Sequence, residues 1–534
     1  MNGGASPRGP RLRIVAINDV YSVGNLPLLK PLVDSARTND PADVLLVTIA
    51  GDFVAPSLLS SLDAGRGMVE CLNALGITHA CYGNHEADIP TEELRLRVGE
   101  LHGVWLNTNM TSFEPRTPRF DVVTVTAPGG RTVRVGLLGV VLDDRAAYLG
   151  KPFGGAPISP PNEAALLETR RLLEEERCAV VIPLTHQSMS ADRALAASAL
   201  SVPFPVILGG HEHTAFQEKI GETWVLKAGA DGTLAFVIDL TWPGEPVAAD
   251  SRPDVTLRLV DVSHDAPDPT LRALAERHLA RVHELDTATL RVLRDGESLS
   301  SVGTRSQQTT MGSFLCDAMR DGLAAEGCVF NGGGIRASRV YAERFTYGDL
   351  TAEVPFENEL CVARIPGAVL AAAIAVSRSI APAEAGRFLQ VDSGMVVDEE
   401  HRLRRIAGGP LDPERLYRIA LVRDLLFGMD GIVPFVSYGQ TAGRRIPAAG
   451  SGRGVKLVLV EELSRALYGT LGGFDVVDAD KDGTLTAEEL SASAGRATGS
   501  PSPLTGRVVL AALDRSKDGS LSRDETGEPK DPSA

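Results

Sequence analysis

The sequence predicts an α/β (α+β) protein built from several folding units, and three observations carry that expectation. Short apolar runs rich in β-branched residues alternate with helix-like stretches from the N-terminus to about residue 260: Arg13 to Ile17, Val44 to Ile49, Val133 to Val141, Ala179 to Leu184 and Val206 to Leu208. The chain has 534 residues, more than one hydrophobic core organises. Its tail repeats one acidic loop pattern, first at Asp478 and again at Asp514, in a stretch that otherwise reads as helices.

Four segments follow from these patterns. Residues 11–262 form the first α/β unit and residues 263–290 a linking helix, where Leu271, Leu274, His278, Val282 and Leu285 make one apolar stripe at helical spacing. Residues 291–440 form a second α/β unit, and a loop rich in glycine and arginine, Gly439 to Gly454, leads into a small all-α tail over 441–534.

Composition excludes some functions. Hydrophobic residues make up 43% of the chain and charged residues 23%, the balance of an ordinary globular protein. Asp and Glu number 69 against 53 Lys and Arg, and the formal charge of −16 offers no long-range attraction to nucleic acid or an anionic membrane. The six cysteines (71, 81, 178, 316, 328 and 361) lack metal-ligand spacing and are too few for a disulfide framework, which suits a reducing compartment. The run Met1 to Pro10 has no apolar core of the signal-peptide kind, and no stretch nears the roughly 20 apolar residues of a membrane span. The expectation is a cytoplasmic protein without a membrane segment; its oligomeric state is not legible.

Five stretches place metal-ligating side chains just after a predicted strand, where open α/β sheets hold their ligands: Asp19; Gly51-Asp52; Gly83-Asn84-His85-Glu86; Thr185-His186; and Gly209-Gly210-His211-Glu212-His213. A lone aspartate after a strand is ordinarily a helix cap, and a lone histidine a satisfied structural residue. The set as a whole supplies the carboxylate, amide and imidazole donors that two divalent ions about 3.5–4 Å apart require.

In this order the motifs resemble those of the calcineurin-like metallophosphoesterases and, within them, the 5'-nucleotidase family. The resemblance implies a four-layer αββα domain and two divalent ions, zinc or manganese. Asp52 would bridge them, with Asp19 and His213 on the first ion and Asn84, His186 and His211 on the second. A bridging hydroxide would attack phosphorus, with His85 as the catalytic histidine and Asp88 as its carboxylate partner. One position departs from the pattern: where the family has Asp-x-His, this chain reads Asp19-Val20-Tyr21. Three outcomes follow: Tyr21 ligates as a phenolate in an iron-containing mixed-metal site, or it packs beside a zinc or manganese site with one protein ligand fewer, or the first site is weakened.

In the second unit Arg305, the run Asn331-Gly332-Gly333-Gly334-Ile335-Arg336, Thr346-Tyr347-Gly348-Asp349-Leu350, Pro355-Phe356-Glu357-Asn358 and Phe388-Leu389-Gln390-Val391 resemble the 5'-nucleotidase C-terminal domain. Read as residues, the glycines let backbone amides approach an anion, and guanidinium groups bind phosphate through paired hydrogen bonds. The resemblance implies a nucleotide substrate, with Arg305 and Arg336 on its phosphate, Asn331 and Gly333 lining the nucleoside pocket, and Phe388 stacked on the base. The family's second stacking aromatic follows an Asp-Gly pair, but here Asp430-Gly431 is followed by Ile432, with Phe427 and Phe435 nearby.

The tail run Asp478 to Glu489 fits the twelve-residue EF-hand loop. Asp478, Asp480, Asp482 and Glu489 offer carboxylates, Thr484 its carbonyl, and Gly483 the sharp turn, so calcium is the expected ligand. The second loop aligns Asp514, Ser516, Asp518, Ser520 and Glu525 in the same register. Ser516 replaces a carboxylate, which predicts weaker binding, and Leu485 and Leu521 are placed to join the loops by a short strand contact.

Overall fold

The computed structural model describes residues 8–528 except 149–150, 199, 201–203, 244–251, 357 and 448–451. The chain divides into two compact units, the change falling between Ala280 and Arg281.

Among the described residues the first unit stacks two six-stranded sheets. One runs in the order Asp254–Asp261, Leu234–Thr241, Arg11–Ile17, Val44–Ala50, His79–Cys81, Val104–Leu106. The other runs Phe120–Thr126, Thr132–Val141, Val180–His186, Val206–Gly210, Thr223–Ala228, Ala215–Ile220. Ile14, Leu46, Phe236 and Ile238 from one sheet interlock with Leu137, Ile182 and Leu208 from the other in one apolar core. The outer face of the second sheet is closed by Ala165, Leu172, Leu195 and Ala196 from helices Pro161–Glu174 and Met189–Ala196, packed on Leu138, Val181 and Ile207. Strands covered on both faces read as continuous apolar runs, which is why Val180–His186 is buried throughout.

The five apolar runs read from sequence all become strands, and in each sheet some run parallel: Arg11–Ile17 beside Val44–Ala50 beside His79–Cys81, and Thr132–Val141 beside Val180–His186 beside Val206–Gly210. Parallel strands bring their C-terminal ends, and the loops that follow, to one edge. The linking helix is Pro269–His283, with Leu271 and Ala275 buried and Leu285 buried just beyond it.

The second unit holds a five-stranded sheet in the order Leu389–Val391, Gly327–Asn331, Leu416–Val422, Glu359–Pro366, Arg453–Gly454. Helix Thr310–Gly322 starts at Thr309, whose hydroxyl accepts from the Gly312 amide. Helix Val455–Tyr468 rises from the segment read as loop and tail, and its buried Leu467 and Tyr468 join Phe474, Val477, Leu490, Val509 and Leu513 in a core under the two acidic loops. All six cysteines are buried free thiols. Among the described residues no helix is long and apolar enough to cross a membrane.

Candidate metal centre

Every metal-ligand candidate of the first unit lies on a loop or strand end at the edge where the parallel strands finish. The backbones there are bent to reach it: Asp19, Asp52 and His211 have φ of 53°, 54° and 84°. Such left-handed conformations cost a non-glycine residue about 1–3 kcal/mol each and persist where the surroundings over-determine them. Here the strand ends hold one another, the Asp19 amide donating to the Gly51 carbonyl at 3.1 Å and the Val20 amide to the Asp52 carbonyl at 2.9 Å.

The glycines of the motifs make room for these side chains. A Cβ on Gly83 would lie 2.2 Å from Asp52 Oδ1, and one on Gly51 2.5 Å from His186 Nδ1. On Gly210 it would meet the Ala50 carbonyl at 2.2 Å and Asp19 Oδ2 at 2.9 Å.

Six of the seven candidates form one chain of short side-chain contacts, and the seventh, His211, joins it through its amide, which donates to Asp19 Oδ2 at 2.9 Å. Tyr21 Oη lies 3.3 Å from Asp19 Oδ1, 3.3 Å from Asp52 Oδ2 and 2.9 Å from His213 Nε2. His186 Nε2 lies 3.0 Å from Asp52 Oδ2 and 3.2 Å from Asn84 Oδ1. The His186 Nδ1 sits 2.8 Å from the Ala50 carbonyl, which only accepts, so Nδ1 carries a proton and Nε2 faces the cluster. Ligand atoms of Asp52, His186 and His211 all lie within 4.8 Å of one another. His211 Nδ1 is buried without a hydrogen-bond partner, the kind of orphan that an ion would satisfy.

The two buried carboxylates set the protonation of the pocket. Burial opposes ionisation of His186, yet Asp52 and Asp19 hold it as a cation, raised to about 10. Burial and the neighbouring cation lower His211 to about 3. Tyr21 is pushed well above its ordinary value by burial, then by Asp52 and Asp19, so it stands as a neutral phenol. The donor set, two buried carboxylates with an amide and imidazoles, fits divalent transition ions.

His85 and Asp88 sit beside this cluster. His85 Nδ1 lies 2.6 Å from Asp88 Oδ2, and the His85 amide donates to Asp52 Oδ1 at 2.8 Å. Burial pulls His85 down, but Asp52 and Asp88 outweigh it and raise it to about 9.

Three supports were not read from the sequence as having a role. Glu86 is fully buried and accepts the amides of Asp52, Phe53, Val54 and Gly83 at 3.0, 2.8, 3.1 and 2.5 Å, holding the Gly-Asp turn. Asn18 donates to Asp19 Oδ2 at 2.8 Å and to the Gly229 carbonyl at 2.6 Å. Asp231 accepts the amides of Tyr21 and Ser22 at 2.9 and 3.0 Å. Glu86 stands inside a motif and Asn18 beside Asp19, so their positions were visible; what the sequence hides is the reach of Asn18 to Gly229 and of Asp231 to Tyr21 and Ser22, more than 200 residues apart.

In the second unit three segments are laced together by their backbones. The Gly332 amide donates to the Phe388 carbonyl, the Gly333 amide to the Gly386 carbonyl (both 2.8 Å), and the Ala385 amide to the Arg305 carbonyl at 2.9 Å. This corrects the expected role of the glycine run: two of its amides are spent on the 385–388 loop and are not offered to an anion. Glycine is needed at 332 because a Cβ would meet the Thr304 carbonyl at 2.2 Å.

Phe388 is a second correction. It is 2% exposed with the Arg378 guanidinium 4.7 Å from its ring centre, so neither face is open to a base. Ile432 and Phe435 are buried, whereas Phe427 is 51% exposed and Phe356 45%. Asn331 Nδ2 donates to Asp430 Oδ2 at 2.7 Å, and its buried Oδ1 has no partner. Arg336 is exposed, donates to the Gly333 carbonyl at 3.3 Å and lies 5.5 Å over the Phe356 ring; Arg305 is half-buried. Glu357 of the Pro355–Asn358 run lies outside the described residues.

In the tail, Asp478, Asp480 and Asp482 gather carboxylate oxygens within 4.8 Å, and Glu489 turns inward to accept the Ala479 amide at 2.8 Å. Glu489 also caps its helix through Thr486, and the Thr484 amide donates to Asp482. The second loop repeats the backbone: Lys481 and Lys517 have φ of 61° and 57°, Gly483 and Gly519 of 86° and 87°. The Gly519 amide donates to Asp514 Oδ2 at 2.9 Å and the Ser522 amide to Glu525 Oε2 at 3.0 Å. Leu485 and Leu521 form an antiparallel bridge, amide to carbonyl in both directions at 2.9 and 3.0 Å.

Comparison with known proteins agrees with this architecture. The family model for calcineurin-like phosphoesterase matches residues 12–215, that for the 5'-nucleotidase C-terminal domain residues 287–437, and that for the EF hand residues 472–492. A 5'-nucleotidase of Bos taurus is 24% identical over 477 residues, covering 78% of this chain and 79% of the relative. Protein UshA of Yersinia enterocolitica is 23% identical over 455 residues, 75% and 81% of the two chains. Endonuclease YhcR of Bacillus subtilis is 25% identical over 350 residues, 60% of this chain but only 28% of the longer endonuclease. Among solved structures, the Haemophilus influenzae NAD nucleotidase superposes with a TM-score of 0.64 at 14% identity, covering 84% of this chain and 95% of that one, and so shares the fold. Two domain models in the family's order, and relatives aligned across both, place the chain: it belongs to the calcineurin-like phosphoesterases, in the 5'-nucleotidase family of hydrolases.

Proposed function

We propose that this protein hydrolyses nucleoside 5'-monophosphates or related nucleotide esters at a two-ion centre built by Asp19, Asp52, Asn84, His186, His211 and His213. The observation that carries the reading is the convergence of ligand atoms of Asp52, His186 and His211 within 4.8 Å of one another, with His211 also carrying a buried imidazole nitrogen that has no hydrogen-bond partner. Bound divalent ions supply an activated water and neutralise phosphoryl charge. The chain's own part is to fix those ions through strained, glycine-flanked turns and to place His85. Asp88 holds His85 by Nδ1, leaving an imidazolium that donates from its other nitrogen to a phosphoryl oxygen as negative charge develops. His85→Asn is expected to lower kcat by about 100-fold or more while metal content stays unchanged. Wild-type turnover in this variant would remove His85 from the reaction.

Tyr21 occupies the position of the family's first-motif histidine as a neutral phenol against His213, which supports a zinc or manganese site with one protein ligand fewer. A visible tyrosinate-to-iron absorption band in the purified protein would contradict that choice of metal. In the second unit Asn331 and Arg336, with Arg305 near by, take the nucleotide. Burial of both Phe388 and Ile432 argues against a base sandwiched between these two side chains, whichever nucleotide ester is bound; nucleotide-sugar or cyclic-nucleotide esters, cleavable at the same phosphoryl centre, form the second reading, and a panel of these beside monophosphates decides between the two. The tail binds calcium, tightly at the Asp478 loop and more weakly at the Asp514 loop, where Ser516 replaces a carboxylate.

A further inference from the structure

Lys227 lies in strand Thr223–Ala228 of the second sheet and is fully buried, an unusual place for an ammonium group. Taking a lysine out of water is costly unless its charge and its donors are all met. Here two carboxylates and two carbonyls meet them. Nζ lies 2.8 Å from Asp192 Oδ2 and is bonded to Glu212 Oε2. It also donates to the carbonyls of Gln187 at 2.8 Å and Gly210 at 2.6 Å. Burial favours the neutral amine, but Asp192 and Glu212 more than offset it, so the group stays cationic.

The positions of those partners give the lysine a role beyond filling the core. Gln187 follows His186 and Gly210 precedes His211, so one ammonium grips the backbone beside both imidazoles of the candidate centre. The carboxylates complete the bracket. Asp192 Oδ1 accepts from Thr185 Oγ1 at 2.7 Å and from the Gln187 amide group at 3.0 Å, on either side of His186. Glu212 follows His211, and its Oε1 accepts the Met189 amide at 2.6 Å, joining the two loops a second time. The paired glycines divide between these tasks: a Cβ on Gly209 would strike Lys227 Cε at 2.8 Å, whereas one on Gly210 would strike the ligand side.

We infer that Lys227, with Asp192 and Glu212, is a positioning residue of the metal centre, fixing the separation of the His186 and His211 imidazoles from behind. The inference rests on the two-ion reading above and assigns it a support that touches neither ion nor substrate. Partners of this kind set ligand orientation, and their loss typically weakens metal binding or activity about 10–100-fold.

The test compares the full-length protein with Lys227→Met and with the charge-neutral triple variant Lys227→Met, Asp192→Asn, Glu212→Gln. Removing the lysine alone strands two buried carboxylates and is expected to impair folding, so the triple variant keeps the question answerable. Two readouts apply: Mn2+ affinity by competition with a chelator, and the imidazole 15N resonances of His186 and His211 in metal-free protein. The expected result is a folded triple variant with Mn2+ affinity down about 10–100-fold and both imidazole signals broadened. A folded triple variant with parental affinity and sharp, unshifted imidazole signals would overturn the inference. If the parent protein itself binds no Mn2+ at these histidines, the two-ion reading fails, while the metal-free resonances still decide the role of Lys227.

Discussion

The candidate centre is governed by single side chains held in conformations they would not choose alone. His186 illustrates the electrostatics: Asp52 and Asp19 keep it protonated up to about 10 against the pull of burial, so an ion taking its Nε2 must expel that proton. Metal affinity is therefore expected to rise with pH below that value, by about tenfold per unit for one displaced proton. Calorimetry in buffers of unequal ionisation enthalpy should show a proton released at neutral pH, and no release would contradict the assignment. Tyr21 gives a second prediction. Its phenol stands where an imidazole would ligate, 2.9 Å from His213 Nε2, so Tyr21→His should tighten the weaker ion about tenfold or more in chelator competition. An unchanged affinity would mean that Tyr21 already ligates or lies off the ion's path.

At the level of strands and loops, much was legible in the sequence. Each of the five apolar runs is a strand, and four of the five ligand motifs follow one of them, because parallel strands buried on both faces leave an unbroken apolar signal that ends where function begins; Gly83-Asn84-His85-Glu86 instead follows His79–Cys81, a strand of three residues too short to stand out as a run. Ala215–Ile220, Leu234–Thr241 and Asp254–Asp261 were not singled out; the first and last are half-exposed edge strands in which polar residues interrupt the apolar signal. Helix Val455–Tyr468 was hidden behind a glycine-rich approach and shows itself only by the face it buries. The supports of the site were illegible for another reason: Lys227 sits in an apolar run 35 or fewer residues from Asp192 and Glu212, and only sheet packing reveals that the three meet. Base stacking by Phe388 failed as a reading because an aromatic in a motif and an aromatic in a core look alike in sequence. In the tail, the Leu485–Leu521 bridge ties the two loops, so Asp478→Ala should abolish the tighter calcium site and also weaken the Asp514 loop by about fivefold or more. Calcium titration of the variant checks this, and an unaffected second site would show that the bridge transmits nothing.

For the whole molecule, the net charge of −16 gives an anion no long-range steering, so the proposed reaction requires local positive charge, which ions bound at the first unit's edge would supply. The first unit presents the converging carboxylates and imidazoles, and the second carries Asn331 and Arg336 on a glycine run laced to the 385–388 loop, which is bonded in turn to Arg305. The direct test is phosphate release from a panel of nucleotides by metal-stripped protein, titrated with Mn2+ or Zn2+ and run beside Asp52→Asn. The account predicts no turnover in the stripped protein, activity that saturates near two equivalents of ion per chain beyond those taken by the tail, and loss of at least about 100-fold in the variant. Turnover that survives stripping, or no phosphate from any nucleotide at any metal loading, would contradict it.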